Sequence, residues 1–338
     1  DIPACLRPGM LCCDLCKEEP EVKKPLLVIV GPTAVGKTDL SIELARRFDM
    51  EIVSADSMQV YIGMDIGTAK VSPAIRREIP HHLIDICYPD EPYSVAQFQR
   101  DAVEIIEQIH SRQKVPVMVG GTGLYVRSVT HGYLFSQAPK DDEVRKKWQQ
   151  FLAIHGPQPL YEQLAARDPE TARRLHPNDT KRIIRALEVQ QLSGIPFSQW
   201  QKQQTEQQPW YDVLTIGLWM ERPLLYERIN RRVDKMLEEG LVDEVAGLLA
   251  KGYDESLPSM QGLGYKEIIA YIKGRWSYDE AIYELKKRTR HFAKRQFTWF
   301  KRQHEVQWVQ VGEKGWLENF PEIHRLVAGK FYAFDEYT

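Results

Sequence analysis

Eight residues near the start of the chain, GPTAVGKT from Gly31 to Thr38, combine the groups needed to hold a multiply charged phosphate. Gly31 and Gly36 let the backbone turn its amides inward on an anion, and Thr33, Ala34 and Val35 supply the N–H groups between them. Lys37 adds a point charge, and the hydroxyl of Thr38 is placed for Mg²⁺. The helical pattern that follows directs its positive end at the same point. By itself this loop specifies a diphosphate-like anion with its metal. What is attached to the phosphates must be read from the rest of the chain.

Asp56 closes the segment EIVSAD, which reads as a second short strand, on the sheet edge where open α/β folds bind ligands. Three roles are open to it: holding Mg²⁺ through water, acting as a general base, or capping the next turn. In VPVMVGGTGLY, Thr122 lies between Gly121 and Gly123, a form that can hold its hydroxyl close to a ligand. His81 and His82 are adjacent, so a strand sends them to opposite faces and they are read as structural. Two basic runs stand apart from the phosphate loop. KRIIRALEV, residues 181–189, places Arg182 and Arg185 at helical spacing. Between Glu284 and Glu305 there is no acidic residue, and LKKRTRHFAKRQFTWFKRQH reads as a two-sided helix. Phe292, Gln296, Trp299 and Phe300 form its core stripe, and Lys287, Arg290, Lys294 and Lys301 a stripe that suits a phosphate backbone or a solvated face.

The elements that must position these groups alternate. LLVIV (residues 26–30), EIVSAD, HHLIDI and VPVMVGG read as strands, with helices over Thr38–Phe48 and within SVAQFQRDAVEIIEQIHSRQ, which predicts a three-layer α/β domain. From about Pro139 strand character disappears and helical, charged segments take over until about residue 213, where YDVLTIGLWM returns to the sheet. The expected organisation is a leader over 1–23, a core built from 24–138 and 213–330, and an inserted helical subdomain over 139–212. Arg222-Pro223 opens a further helix, with Gly240 and Gly252 as helix stops.

Composition narrows the partners. The 338 residues are 43% hydrophobic, enough for a sizeable core, and no run approaches the roughly 18 apolar residues that span a bilayer. The formal charge is 45 − 47 = −2, so attraction to a polyanion must come from local clustering. Cys5, Cys12, Cys13 and Cys16 crowd the first sixteen residues and only Cys87 lies in the folded region, which is no disulfide framework. Cys13 and Cys16 have half a zinc-knuckle spacing without a second pair. A cytoplasmic protein without membrane contact is expected.

Taken in order, GPTAVGKT, SADSMQVYIGMDIGTAK, PHHLID, VGGTGLY, HPNDTKRIIRALEV, QGLGYKE and AKRQFTWFKR resemble the tRNA dimethylallyltransferase (tRNA isopentenyltransferase) family, from Pro25 to about Trp308. The resemblance implies a P-loop nucleoside-triphosphatase-like core. It also implies transfer of a dimethylallyl group from dimethylallyl diphosphate to N6 of adenosine 37, beside the anticodon of tRNA. Thr33 to Thr38 would then hold the donor's diphosphate with Mg²⁺, Asp56 would be the base, Thr122 a polar contact, and Arg222 the cation that neutralises the leaving diphosphate. Asp56, Ser57, Met58 and Gln59 would meet the flipped adenosine, while Arg145 and the run Lys181, Arg182, Ile183, Ile184 and Arg185 would contact the anticodon stem-loop. A leader without counterpart and the lack of a C-terminal zinc finger suggest the bacterial-like form, expected to be a monomer. A small-molecule kinase and a prenyltransferase of free adenine nucleotides share the loop and remain the alternatives.

Overall fold

The LLVIV run forms β1 (Pro25–Val30), and its side chains alternate between two buried layers: Leu27 and Ile29 face one, Leu26, Val28 and Val30 the other. The computed structural model describes residues 23–131, 140–205 and 209–332. In it β2 (Glu51–Ser54), β3 (His81–His82), β4 (Pro116–Val119), β5 (Asp212–Trp219) and β6 (Val306–Gln310) join β1 in a parallel sheet of order β3-β2-β4-β1-β5-β6. On one face pack α1 (Lys37–Phe48) and, from further along, α10 (Arg222–Glu238) and α14 (Phe320–Phe331). On the other pack α3 (Val95–Ser111) and α4 (Gly123–Thr130), while α2 (Pro73–Glu78), before β3, sets Ile75 against the first face's core. The three-layer α/β reading therefore holds, with β1 and its loop central in the sheet.

β2 and β3 are both shorter than their patterns predict. β2 ends at Ser54, so Asp56 stands two residues beyond it, on the loop. β3 stops after His82 because Leu83 and Asp85 take left-handed backbone, φ 61° and 56°, which aims Asp85 at Lys70 and Arg76. β6, with its alternating VQWVQ, was not read from the sequence.

Between α4 and β5 the described residues are helical: α5 (Asp142–His155), α6 (Pro157–Arg167), α7 (Pro169–Ala172), α8 (Thr180–Ser193) and α9 (Phe197–Thr205). They share an apolar core of their own, with Val144, Trp148, Leu160, Leu164, Ile183 and Leu187 buried together. One buried carboxylate ties them: Asp168 accepts from the amides and hydroxyls of both Thr171 and Ser198.

After α10 come α11 (Leu241–Ala250), α12 (Tyr265–Ile272) and α13 (Tyr278–Lys301), the last started by a Ser277–Glu280 capping box. α11 and α12 pack beneath the loop that follows β2, burying Val60 and Met64 with Leu241, Val245, Tyr265 and Ile268. Glu244 fixes that loop by accepting from the amides of Asp65, Ile66 and Gly67 at 2.9, 2.7 and 3.1 Å and from the Tyr265 hydroxyl at 2.7 Å. Gly67 leaves no room for a Cβ against the Tyr265 ring. The cysteine-bearing leader, Cys13 and Cys16 included, lies outside the described residues.

Burial pushes the Asp168 carboxyl up, but the hydrogen bonds from Thr171 and Ser198 outweigh it and hold it below the usual carboxylate range. Its stabilisation is complete above the unfolded value of about 4 and is lost as pH falls below it. Asp168→Ala strands several buried donors and is expected to cost about 3 kcal/mol at neutral pH. Hydrogen exchange of the α7 and α9 amides checks this, and unchanged protection contradicts it.

Candidate active site

The phosphate loop has the backbone its glycines suggested. Gly31 and Gly36 lie at φ 141° and 104°, where L side chains are strained, and a Cβ on Gly31 would also overlap the Leu218 carbonyl. Gly36 caps α1 without a side-chain acceptor, so the first amides of that helix face the loop's concavity with no side chain to bond them. Lys37 curls back over the loop and donates to the Pro32 carbonyl at 2.7 Å.

A residue from the far end of the chain closes the loop. Gln296 of α13 accepts from the Thr33 amide at 2.8 Å and donates to the Gly121 carbonyl at 3.1 Å, so one carboxamide joins the phosphate loop to the GGTG loop after β4. A Cβ on Gly121 would overlap the Gln296 carboxamide, and one on Gly123 the Trp299 indole. These two glycines serve the approach of α13. Trp299 itself is 38% exposed, so it is a lid on Gly123 and not the core residue its spacing predicted. Gln296 and Phe300 of the same stripe are buried.

Around this joint the expected residues gather. Thr122 accepts from the Ser57 amide at 3.2 Å and donates to the Ser57 hydroxyl at 3.4 Å. Asp56 accepts from the Met58 amide at 2.9 Å through one oxygen. The Gln59 carboxamide is committed to the fold, accepting from the Ser54 hydroxyl at 2.9 Å and donating to the Thr68 carbonyl at 3.1 Å. Thr33, Asp56 and Arg232 stand on the wall between two spaces. One is a small polar cavity reaching Lys37 and Thr38. The other is a cleft of about 520 Å³ bounded by Ser57, Met58, Thr122, Lys266, His291 and Arg295.

The charge at this wall is concentrated. Removal from water, with the Arg232 cation adding to it and Asp56 opposing both, brings the Lys37 ammonium down to about 7. Arg232 is itself lowered by loss of water, with Asp56 and Asp39 opposing. Arg228, one turn earlier on α10, has a buried Nη1 with no partner and lines the space beside Gly36, Lys37 and Thr38. Cations crowded in this way mark a candidate anion site.

Arg222 is not among them. It begins α10, lies 5.8 Å from the Tyr226 ring centroid and lines a separate, mostly apolar cavity with Trp219, Phe297 and Trp308. The cation beside Lys37 and Asp56 is Arg232, ten residues on. Sequence reasoning missed Arg228, Arg232 and Gln296. The first two left a signal in their i, i+4 spacing, which puts both on one face of α10.

Comparison with known proteins agrees with the motif series. The family described as "IPP transferase" matches residues 59–303, and that described as "Isopentenyl transferase" matches residues 24–77. A tRNA dimethylallyltransferase of Geobacillus thermodenitrificans is 49% identical over 306 residues, spanning 90% of this chain and 96% of the relative. Another, of Geotalea uraniireducens, is 51% identical over 293 residues, 87% and 94% of the two chains. The solved full-length tRNA isopentenylpyrophosphate transferase of Bacillus halodurans superposes with TM-score 0.68 at 44% identity, covering 92% of this chain and 98% of that one. A eukaryotic dimethylallyltransferase acting on tRNA gives TM-score 0.78 at 29% identity, covering 92% and 80%. The chain belongs to the tRNA dimethylallyltransferase family.

Within this family's fold, the residues expected to meet RNA divide into two kinds. Lys181 and Arg182 are exposed at the start of α8, Arg182 pairing with Asp179 at 3.1 Å. Arg145 and Arg185 both reach the buried Glu188, at 3.0 and 2.6 Å. Ile183 and Ile184 are buried in the helical insert's core, so their side chains do not face a ligand. The basic stripe of α13 is also divided. Lys287 pairs with Glu284 and Arg290 bonds to Asn230, while Lys294 and Lys301 are exposed.

Because Lys37 titrates near 7, it is mostly neutral above that pH and must regain a proton to face a bound diphosphate. Binding of Mg²⁺-pyrophosphate above about pH 7 is expected to take up more protons in the wild type than in Lys37→Met, and wild-type affinity to fall as pH rises. Calorimetry in buffers of differing ionisation heat measures this, and equal uptake in both proteins contradicts it.

Proposed function

We propose that this protein transfers a dimethylallyl group from dimethylallyl diphosphate to N6 of adenosine 37, next to the anticodon of tRNA, and releases diphosphate. Dimethylallyl transfer to tRNA is the activity of its family. The observation that carries the detailed reading is the position of Asp56 on the wall shared by the polar cavity and the larger cleft. A base there can reach an acceptor in one space while the leaving group sits in the other.

The donor's diphosphate is held by the amides from Gly31 and Thr33 through Ala34, Val35 and Gly36 to Lys37 and Thr38, at the N-terminus of α1. Lys37, Arg228 and Arg232 neutralise the charge that develops as the carbon–oxygen bond breaks. Arg232 takes the role first expected of Arg222. Mg²⁺ fits here: Thr38 offers a hydroxyl on the cavity wall, and this ion favours phosphate oxygens and its own waters over a dedicated protein cage. That suits a site where, among the described residues, no three His, Cys, Asp or Glu gather. When bound, it adds charge neutralisation on the leaving diphosphate.

The exocyclic amine of adenine is a weak nucleophile because its lone pair is conjugated with the ring. As N6 attacks the allylic carbon, its proton passes to the Asp56 carboxylate and the diphosphate departs with the bonding pair. Thr122, braced by Ser57, gives the polar contact beside it. The adenosine must leave its stack to arrive, entering the cleft along Ser57, Met58 and Gln59, while Arg145, Lys181, Arg182 and Arg185 of the helical insert hold the anticodon stem-loop. We place the enzyme in the cytoplasm as a monomer. Among the described residues no helix is long and apolar enough to cross a membrane.

The test is direct. Incubation with dimethylallyl diphosphate, Mg²⁺ and unmodified tRNA, followed by digestion, should yield N6-dimethylallyl adenosine. Asp56→Ala should cut turnover by about 10²-fold with tRNA binding retained. Arg232→Met should lose about 10²-fold, and Arg222→Met much less. Transfer only to free adenine nucleotides, ATP consumption without prenylation, or a larger loss at Arg222 than at Arg232 would overturn the reading.

A further inference from the structure

The cavity that holds Arg222 lies on the side of α13 away from Asp56, between the start of α10 and the ends of β5 and β6, and has a volume of about 560 Å³. This is within the range of small-molecule sites. Its walls are Trp219, Leu225, Tyr226, Phe297 and Trp308. The rings brace one another: Phe297 meets Trp308 edge-on at 5.2 Å and lies 6.5 Å from Trp219. Its rim is charged. Arg222, Lys294 and Lys301 border it and, among the described residues, make no ion pair. One carboxylate, Glu221, stands with them. Earlier on the same helix Lys286, Lys287 and Arg288 are all paired, with Asp234, Glu284 and Glu267. Lys294 and Lys301 of α13 thus join Arg222 at the apolar cavity without an acidic partner among the described residues, while Arg295 of the same helix lines the Asp56 cleft.

We infer that this cavity is a second ligand site, built for an isoprenoid diphosphate longer than the dimethylallyl donor, with its chain among the rings and its phosphates at Arg222, Lys294 and Lys301. Three cations against one carboxylate match a multiply charged head better than a fatty acid's single charge. An unstacked RNA base fits less well, because the wall offers no carboxamide to read its edge and Thr298 spends its hydroxyl on the Lys294 carbonyl at 2.8 Å. The site is separate from the donor loop yet touches it. Pro32 forms part of the wall, and its carbonyl holds Lys37. Phe297 follows Gln296 directly. An occupant therefore bears on both residues that set the donor loop and changes transfer without displacing the donor.

Equilibrium dialysis with labelled farnesyl diphosphate tests the site on the full chain. Saturable binding is expected in the wild type, unchanged within about twofold in Lys37→Ala. Thr298→Trp, which fills the cavity from its exposed rim, should weaken binding at least about tenfold while tRNA prenylation persists and so reports an intact fold. Farnesol and dodecanoate should compete at least about tenfold less well than farnesyl diphosphate. Three results would overturn the inference: no saturable binding, binding lost in Lys37→Ala but kept in Thr298→Trp, or displacement from Lys37→Ala by an anticodon stem-loop.

Discussion

A single carboxamide sets the geometry on which the site depends. Gln296 takes the Thr33 amide of the donor loop and gives its own N–H to Gly121, the residue before Thr122. These groups come from three separate parts of the chain, and in the parallel sheet β1 and β4 are neighbours whose loops emerge on the same edge. Adjacent loops would otherwise be free to shift against each other. Gln296 fixes their spacing, and α13 can bring it close only because Gly121 and Gly123 lack side chains. A reaction between two bound partners depends steeply on such spacing, since near-attack geometry tolerates little error.

Charge supplies the second constraint. Lys37 and Arg232 approach each other with too little water, at a cost visible in their lowered affinities for protons, and Asp56 partly offsets it. On the proposed reading, a diphosphate relieves that strain as it binds. The Asp56 carboxylate also lines the larger cleft, where the proposed reading places the acceptor. On the opposite flank, Glu244 gives the loop carrying Asp56 a fixed footing by bonding three successive amides, so Asp56 does not rest on a loop held by its own ends.

The phosphate loop was legible in the sequence because its residue types encode its backbone: glycine where φ is positive, lysine and threonine where the helix begins. β1, the helices between α4 and β5 and the basic helix α13 were legible for the same local reason, their periodicity. What local pattern could not give was anything decided by long-range approach. Gln296 and Thr33 are 263 residues apart, so the joint between them was invisible, and Gln296 read only as part of an apolar stripe. Arg222 is nearest in sequence to the returning strand, but α10 carries Arg228 and Arg232 back across the loop. The glycines flanking Thr122 were read as making room for a ligand, whereas they make room for a helix. Basic runs overstated the free charge, because Glu188 and Glu284 hold several of those cations. Ile183 and Ile184 came with a motif whose exposed members, Lys181 and Arg182, occupy its other face.

Single-turnover transfer by Gln296→Leu, with dimethylallyl diphosphate and tRNA both saturating, tests this account most directly. Separate affinities for pyrophosphate and the anticodon stem-loop should change by less than about tenfold, while the rate of transfer from the fully bound enzyme falls by about 10²-fold, because both partners are held but no longer in register. A transfer rate that stays near the wild-type value would show that the two loops keep their spacing without Gln296, and would contradict the claim.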